Sequence, residues 1–298
     1  MNVPVDHAPT ENRPNAADAG QYAIGGQLTV NRLGFGARRI TGEGAWGPPD
    51  DADECRAVLR ALPGLGIDIV DTADSYGPEI SEDLIAEALF PYENVLVTTK
   101  NGQVRPDPES WVPVGRPEFI MQQIRMSMRR LRVDHFDLWF LHRIDRSLPR
   151  DDQFAFVESL QRDGLVRYIG LSEVDVDDIE AASAHFQVGV VQNQYHLNLR
   201  KYDRVIDYCA EHDIAFMPWT PLGGGALAGS TSPLAGLARE LRATPAQLAI
   251  AWLLHRSPTM IVAPGTSKRS HLEEFVRAAS LRLDAYAFKE IEKFATSG

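Results

Sequence analysis

Three stretches decide the fold: DIVDTADSYG (68–77), NVLVTTK (94–100) and FDLWFLHR (136–143). Each is a short apolar and β-branched run that breaks into polar residues, the pattern of a buried strand giving way to its loop. Working outward, similar runs recur as NRLGFGARR (31–39), VRYIGLS (166–172), VGVVQN (188–193), IAFMPW (214–219) and TMIVAPG (259–265), which brings the candidate strands to eight. Helical patterns lie between them at 51–62, 81–90, 117–131, 151–162, 175–185 and 202–212. Alternation of strand and helix implies a parallel sheet, and eight such units in a chain of 298 residues fit one α/β (β/α)8 TIM barrel. The C-terminal strand ends of such a barrel converge on a single mouth.

Asp71, Tyr76, Lys100 and His142 fall at three of those strand ends. A phenol, with a pKa near ~10 in water, is a weak acid at neutral pH unless a neighbouring cation stabilises its phenolate. Lys100 is the candidate for that cation, and Asp71 for the counter-charge that a buried ammonium needs. His142 is the candidate for a hydrogen bond to a substrate carbonyl. Such a group polarises C=O and delivers a proton to oxygen, yet holds no electron source, so hydride has to come from a nicotinamide cofactor. Taken singly, each residue also fits a turn, a loop aromatic, a solvated strand end or a buried histidine. It is the combination at strand ends that points to a site.

The charge balance, 30 Lys and Arg against 41 Asp and Glu, gives a formal net charge of -11. That argues against a nucleic-acid partner or a polybasic membrane clamp. No apolar run is long enough to span a bilayer, and residues 1–20 have neither the basic start nor the apolar stretch of a secretory signal; a cytoplasmic location is expected. The same 20 residues, rich in Pro, Asn, Asp and Ala, are expected to form a disordered or loosely packed extension ahead of a single barrel domain at 21–298. Cys55 and Cys209 have neither C-x-x-C nor zinc spacing and read as reduced core thiols. No metal site is expected.

YAIGGQLTV (22–30) reads as a β-hairpin turning at Gly25-Gly26. Accessory helices are expected at 232–242, then after Thr244-Pro245 as an N-cap with Pro at the first helical position, and finally at 270–279 and 284–295. No G-x-G-x-x-G opens a helix after a strand, so a Rossmann unit is not expected.

The successive blocks DTADSYGPEISEDLIAEAL (71–89), TTKNG (98–102), LWFLHR (138–143), VRYIGLSEV (166–174), VVQNQYHL (190–197), PWTPLGGGAL (218–227), ATPAQLAIAWLLHRSP (243–258) and APGTSKRSHLEE (263–274) resemble the aldo-keto reductases. The resemblance runs in family order over roughly residues 22–297. It implies Asp71, Tyr76, Lys100 and His142 as catalytic residues, Tyr76 as general acid, and NADPH as the hydride donor.

The resemblance also implies a cofactor lying extended across the barrel mouth. Ser172 and Gln192 are the matching positions for hydrogen bonds to the carboxamide, and Trp219 offers a flat surface on which the ring can stack. Thr220, Pro221, Leu222 and Gly223 belong to a loop whose backbone N–H groups suit a pyrophosphate. Gly265, Thr266 and Ser267 lead into a helix N-terminus, a favourable place for phosphate, with Lys268, Arg269, His271 and Glu274 following. The chain departs from the family pattern at Glu173 and Phe275, where Asn is usual, and at His271, where Arg is frequent.

On the substrate side, Trp46, Trp111, Trp139 and the loop 143–147 are candidate walls. GEGAWGPP (42–49), RPDPESWVPVGRPE (105–118) and LHRID (141–145) resemble a bacterial branch that includes pyridoxal reductases. The reading is an NADPH-dependent reductase of an aldehyde or ketone, working as a monomer or weak homo-oligomer on a small carbonyl substrate, with an aromatic or heteroaromatic aldehyde such as pyridoxal as the candidate. The alternative is an NADPH-binding sensor subunit, for which no polybasic tail or partner helix argues. A metal-dependent barrel hydrolase lacks a clustered ligand set.

Overall fold

The computed structural model describes residues 13–295. The strands are β1 (Gln21–Ile24), β2 (Leu28–Asn31), β3 (Phe35–Gly36), β4 (Ile69–Asp71), β5 (Leu96–Asn101), β6 (Gln103–Val104), β7 (Val112–Pro113), β8 (Phe136–Leu141), β9 (Val166–Ser172), β10 (Val188–Gln192) and β11 (Ala215–Phe216). A parallel sheet runs in the order β11-β10-β9-β8-β5-β4-β3. Residues 260–262 close it, since Met260 bridges Phe216 and Val262 bridges Leu33, both in parallel. The Gly34 N–H donates to the Val262 carbonyl at 2.9 Å and the Ile261 N–H to the Phe216 carbonyl at 2.9 Å. The eighth expected strand, 259–265, is thus a pair of single bridges and not a continuous ladder.

Outside the sheet lie α1 (Ala52–Ala61), α2 (Ile80–Leu89), α3 (Pro117–Leu131), α4 (Arg150–Arg162), α5 (Val176–Ser183), α6 (Asp203–Glu211), α7 (Ala235–Glu240), α8 (Pro245–Arg256), α9 (Arg269–Arg277) and α10 (Ala285–Glu292). Their starts follow local chemistry. Asp51, Asp175, Thr244 and Asp284 each accept a first-turn backbone N–H, and Thr244 does so in a reciprocal capping box with Gln247. The accessory helix expected over 232–242 is confined to the six residues of α7.

Strand alternation divides the core in two. Ile69, Leu138, Phe140, Val190, Met217 and Ile261 belong to an inner cluster, while Trp139, Leu141, Val191 and Phe216 pack in the cluster shared with the helices. The β1–β2 hairpin adds Ile24 and Val30 to the inner cluster and sits at the N-terminal strand ends, where the Asn31 N–H donates to Asp68 at 2.9 Å. Gly25 turns it at a φ of 57°, and a Cβ there would lie 2.4 Å from the Tyr168 ring.

Residues 16–19, assigned above to a disordered or loosely packed extension, form a short 3-10 helix capped by Asn15. Ala16 within it is fully buried, and Arg282 donates to the Asp18 carbonyl at 2.9 Å. The rest of that expectation, over residues 1–12, lies outside the described residues.

Candidate active site

The parallel register sets the site. Asp71 ends β4, Lys100 lies one residue from the end of β5, and His142 follows β8 directly. Asp71 pairs with Thr98 across β4–β5, and Lys100 with Phe140 across β5–β8. All three therefore emerge on one rim. Tyr76 sits in the turn after β4, held by Tyr76 N–H to the Ala73 carbonyl at 3.2 Å and by the pairing of Gly77 with Trp46.

The Lys100 ammonium, fully buried, donates to both carboxylate oxygens of Asp71 at 2.7 Å and to the Thr72 carbonyl at 2.8 Å. Thr98 Oγ1 donates to Asp71 as well, at 3.0 Å. Each Lys100 hydrogen thus has an acceptor, which is what makes burial of this ion pair tolerable. Lys100 Nζ lies 5.4 Å from the Tyr76 ring centre, and the Tyr76 and His142 rings meet edge-on, 6.2 Å apart at 85°. Burial first, then the Arg143 and Lys100 charges, hold the His142 imidazole well below the usual histidine range. It is neutral at pH 7.

Asp71 and Tyr76 line a cavity of about 370 Å³. Lys100 and His142 are next to Tyr76 and are not among the residues that line the cavity. Gln192, Trp219, Thr220, Pro221 and Leu222 also line it, as do Gly265, Thr266, Ser267, Lys268 and His271. Four expected cofactor positions are also off the wall. Ser172 is buried, its hydroxyl accepting from Arg143 at 2.8 Å. Gly223 faces His196. The Arg269 guanidinium turns to Glu273 at 3.4 Å, and the Glu274 carbonyl accepts from Gln247 at 3.1 Å.

The cavity fits an extended anionic dinucleotide on three observations. Gly36 and Gly265 cross so closely that a Cβ on Gly265 would lie 2.3 Å from the Gly36 carbonyl oxygen, which keeps that wall free of side chains. Arg38, Arg39 and Lys268 line the cavity elsewhere, and among the described residues none of them has a carboxylate at ion-pair distance. Trp219 presents its indole with Nε1 tied to Glu173 at 2.8 Å. Glu173 also accepts from the Gln194 N–H at 2.6 Å and from the Tyr202 hydroxyl at 2.9 Å, so the departure from Asn installs a clamp on the expected stacking platform. At the start of α9 the Arg269 N–H is already satisfied by Glu54 at 3.0 Å, a carboxylate on the helix end expected to take phosphate.

Sequence reasoning missed Arg38 and Arg39, whose place after β3 was the one available signal. On the substrate side it is corrected at Trp139, which is fully buried in the outer core and donates to Asn101 at 2.7 Å. Trp111 does stand by the site, 6.4 Å from Tyr76, with the Arg105 guanidinium 3.7 Å above its ring. Trp46 lies 5.3 Å from the same guanidinium. Among the described residues no group of three or more His, Cys, Asp or Glu is placed to hold a metal ion, and no helix is long and apolar enough to cross a membrane.

The aldo/keto reductase family model matches residues 32–296. The chain belongs to that family. It is 48% identical over 279 residues to an uncharacterized oxidoreductase of Schizosaccharomyces pombe, covering 94% of this chain and 91% of the relative. Identity to the pyridoxine 4-dehydrogenase of Escherichia coli is 37% over 265 residues, with 87% of this chain and 92% of that protein covered. Among solved structures, the fold is similar to the glycerol dehydrogenase of Gluconobacter oxydans, with a TM-score of 0.82 at 23% identity over 92% of this chain and 94% of that one. A holo aldo-keto reductase of Bacillus halodurans gives a TM-score of 0.80 at 24% identity, over 93% and 97% of the two chains.

Proposed function

We propose that this aldo/keto reductase is an NADPH-dependent carbonyl reductase in which Tyr76 is the general acid, and that its substrate is a planar aromatic or heteroaromatic aldehyde, pyridoxal being the first candidate. The observation that carries the reading is the placement of Tyr76 on the cavity wall, beside a fully buried Lys100 ion-paired with Asp71. NADPH, when bound, supplies the hydride. Within the chain, Asp71 fixes Lys100, Lys100 presents positive charge beside the phenol, Tyr76 gives its proton to the carbonyl oxygen, and neutral His142 donates a second hydrogen bond to that oxygen. Gln192 and Trp219 would orient the nicotinamide end, and Lys268 and His271 would hold the phosphates, since all four line the cavity.

The likeness to pyridoxine 4-dehydrogenase and the position of Trp111 beside Tyr76 support the aromatic substrate, since a flat ring gains by stacking and is oriented by it. A single barrel domain, a cytoplasmic location and a monomer or weak homo-oligomer complete the same reading. Following NADPH oxidation at a fixed enzyme concentration with pyridoxal, benzaldehyde, short aliphatic aldehydes and an aldose tests it. The expected order places the aromatic aldehydes first in kcat/KM. An equal or higher value for the aldose overturns the substrate assignment, and no turnover with any carbonyl overturns the reductase assignment.

A further inference from the structure

Ser75 lies between Asp74 and Tyr76 in the turn after β4 and carries no role in the chemistry described so far. It is nearly inaccessible to solvent, as is His142. Among the described residues, the one hydrogen-bond partner of Ser75 Oγ is His142 Nδ1, at 3.3 Å.

A distance between heavy atoms does not say which of the two carries the hydrogen, but a count of donors and acceptors does. A hydroxyl brings one hydrogen and two lone pairs, and a neutral imidazole has one N–H and one bare nitrogen. If Nδ1 held the imidazole hydrogen, Ser75 would have to accept it, and the hydroxyl's own hydrogen would be buried with no acceptor, a costly arrangement. If Ser75 donates, Nδ1 is satisfied as an acceptor and no buried hydrogen is stranded. The ring hydrogen then lies on Nε2, the nitrogen with no protein partner.

We infer that Ser75 is a positioning residue that fixes His142 as the Nε2–H tautomer, so that His142 presents a hydrogen-bond donor to the substrate's carbonyl oxygen. The inference rests on the reductase reading for its consequence, though the tautomer itself does not. The imidazole has to be neutral for the choice of tautomer to arise, and burial with the neighbouring Arg143 and Lys100 charges keeps it so. The turn that presents the hydroxyl is itself held: the Asp74 N–H donates to the Lys100 carbonyl at 3.3 Å, the Glu79 N–H to the Asp74 carbonyl at 2.7 Å, and Asn101 Nδ2 to the Asp74 carboxyl at 2.7 Å. One short turn therefore sets the Tyr76 phenol and, through Ser75, the orientation of the second donor. On the reductase reading the Tyr76 hydroxyl and the His142 Nε2–H are the two donors for the reacting oxygen, the arrangement that stabilises charge developing there.

Nitrogen-15 NMR of the imidazoles in the coenzyme-free protein tests this, with His142→Gln identifying the resonances. Wild type is expected to show His142 protonated at Nε2 and accepting at Nδ1. In Ser75→Ala the Nδ1 resonance is expected to move as its donor is lost, and kcat to fall by about tenfold, the scale of one net hydrogen bond, while NADPH affinity stays near wild type and the melting temperature falls by only about a few degrees. Ser75→Thr, which keeps the hydroxyl, is expected to recover the Nδ1 signature and most of the lost rate. A wild-type proton on Nδ1 overturns the inference by itself, even if Ser75→Ala does not fold. A Ser75→Ala protein in which the Nδ1 resonance and kcat do not move together overturns it too. A wild type that turns over no carbonyl but shows the Nε2–H tautomer contradicts the reductase reading and not the tautomer assignment.

Discussion

Lys100 and Asp71 form a pair in which one ammonium reaches both carboxylate oxygens at 2.7 Å with no solvent access to the lysine. Removing one partner of such a pair leaves the other charge buried and uncompensated, which typically costs about 3–5 kcal/mol. Asp71→Asn is therefore expected to lower the unfolding free energy by an amount of that order and to depress kcat with it. Urea unfolding monitored by tryptophan fluorescence measures the first. A loss below about 1 kcal/mol, the usual scale of an exposed pair, is inconsistent with a fully buried contact.

The pH dependence of stability carries the signature of His142. Its folded-state pKa is depressed, so the unfolded chain binds a proton at this position more readily than the native one. The contribution is fully present above the unfolded histidine value of about 6.5 and is lost progressively as pH falls below it. The stability difference between wild type and His142→Gln should therefore shrink from pH 7 to pH 5. Taking the difference removes the buried Asp74 and Glu82 carboxyls, whose raised pKa values act in the opposite direction. A constant difference across that range contradicts a buried neutral imidazole.

Coenzyme choice should respond to Lys268 and to Glu54, and hardly to Arg269. Lys268 faces the cavity, whereas Arg269 turns away to Glu273. Lys268→Ala is expected to weaken NADPH by about fivefold, near 1 kcal/mol, with little effect on NADH. Glu54→Gln removes a carboxylate from the start of α9 and should favour NADPH, because negative charge there competes with a phosphate. Dissociation constants for both coenzymes, from fluorescence titration of the three variants, check this. A larger effect from Arg269→Ala than from Lys268→Ala reverses the assignment.

The strand ends were legible because chemistry and hydrophobic run change at the same residue: IVD stops at Asp71 and LVTTKN places Lys100 one residue from the end of β5. What was not legible depends on partners distant in sequence. Residues 16–19 look like loose chain by composition, but Ala16 is buried and the Asp18 carbonyl is held by Arg282, 264 positions away. Trp139 and Trp111 are alike as letters. The alternation of β8 turns Trp139 toward the helices, whereas Trp111 packs against Tyr76 from a loop distant in sequence. The eighth strand was overdrawn because TMIVAPG has the apolar composition of a strand while its backbone meets its neighbours at single bridges. The cavity positions of Arg38 and Arg39 follow from the turn after β3, and their own spacing carries no periodic signal.

The central claim is that the Tyr76 phenol supplies the proton, and Tyr76→Phe tests it most directly because the ring and its edge contacts with Trp111 and His142 are retained while the hydroxyl is lost. Single-turnover and steady-state rates of NADPH oxidation with the best aromatic aldehyde, measured beside NADPH binding, are the observables. The account predicts unchanged NADPH affinity and a kcat lower by at least about 100-fold. Turnover within about threefold of wild type, on the scale of less than one net hydrogen bond, would contradict it.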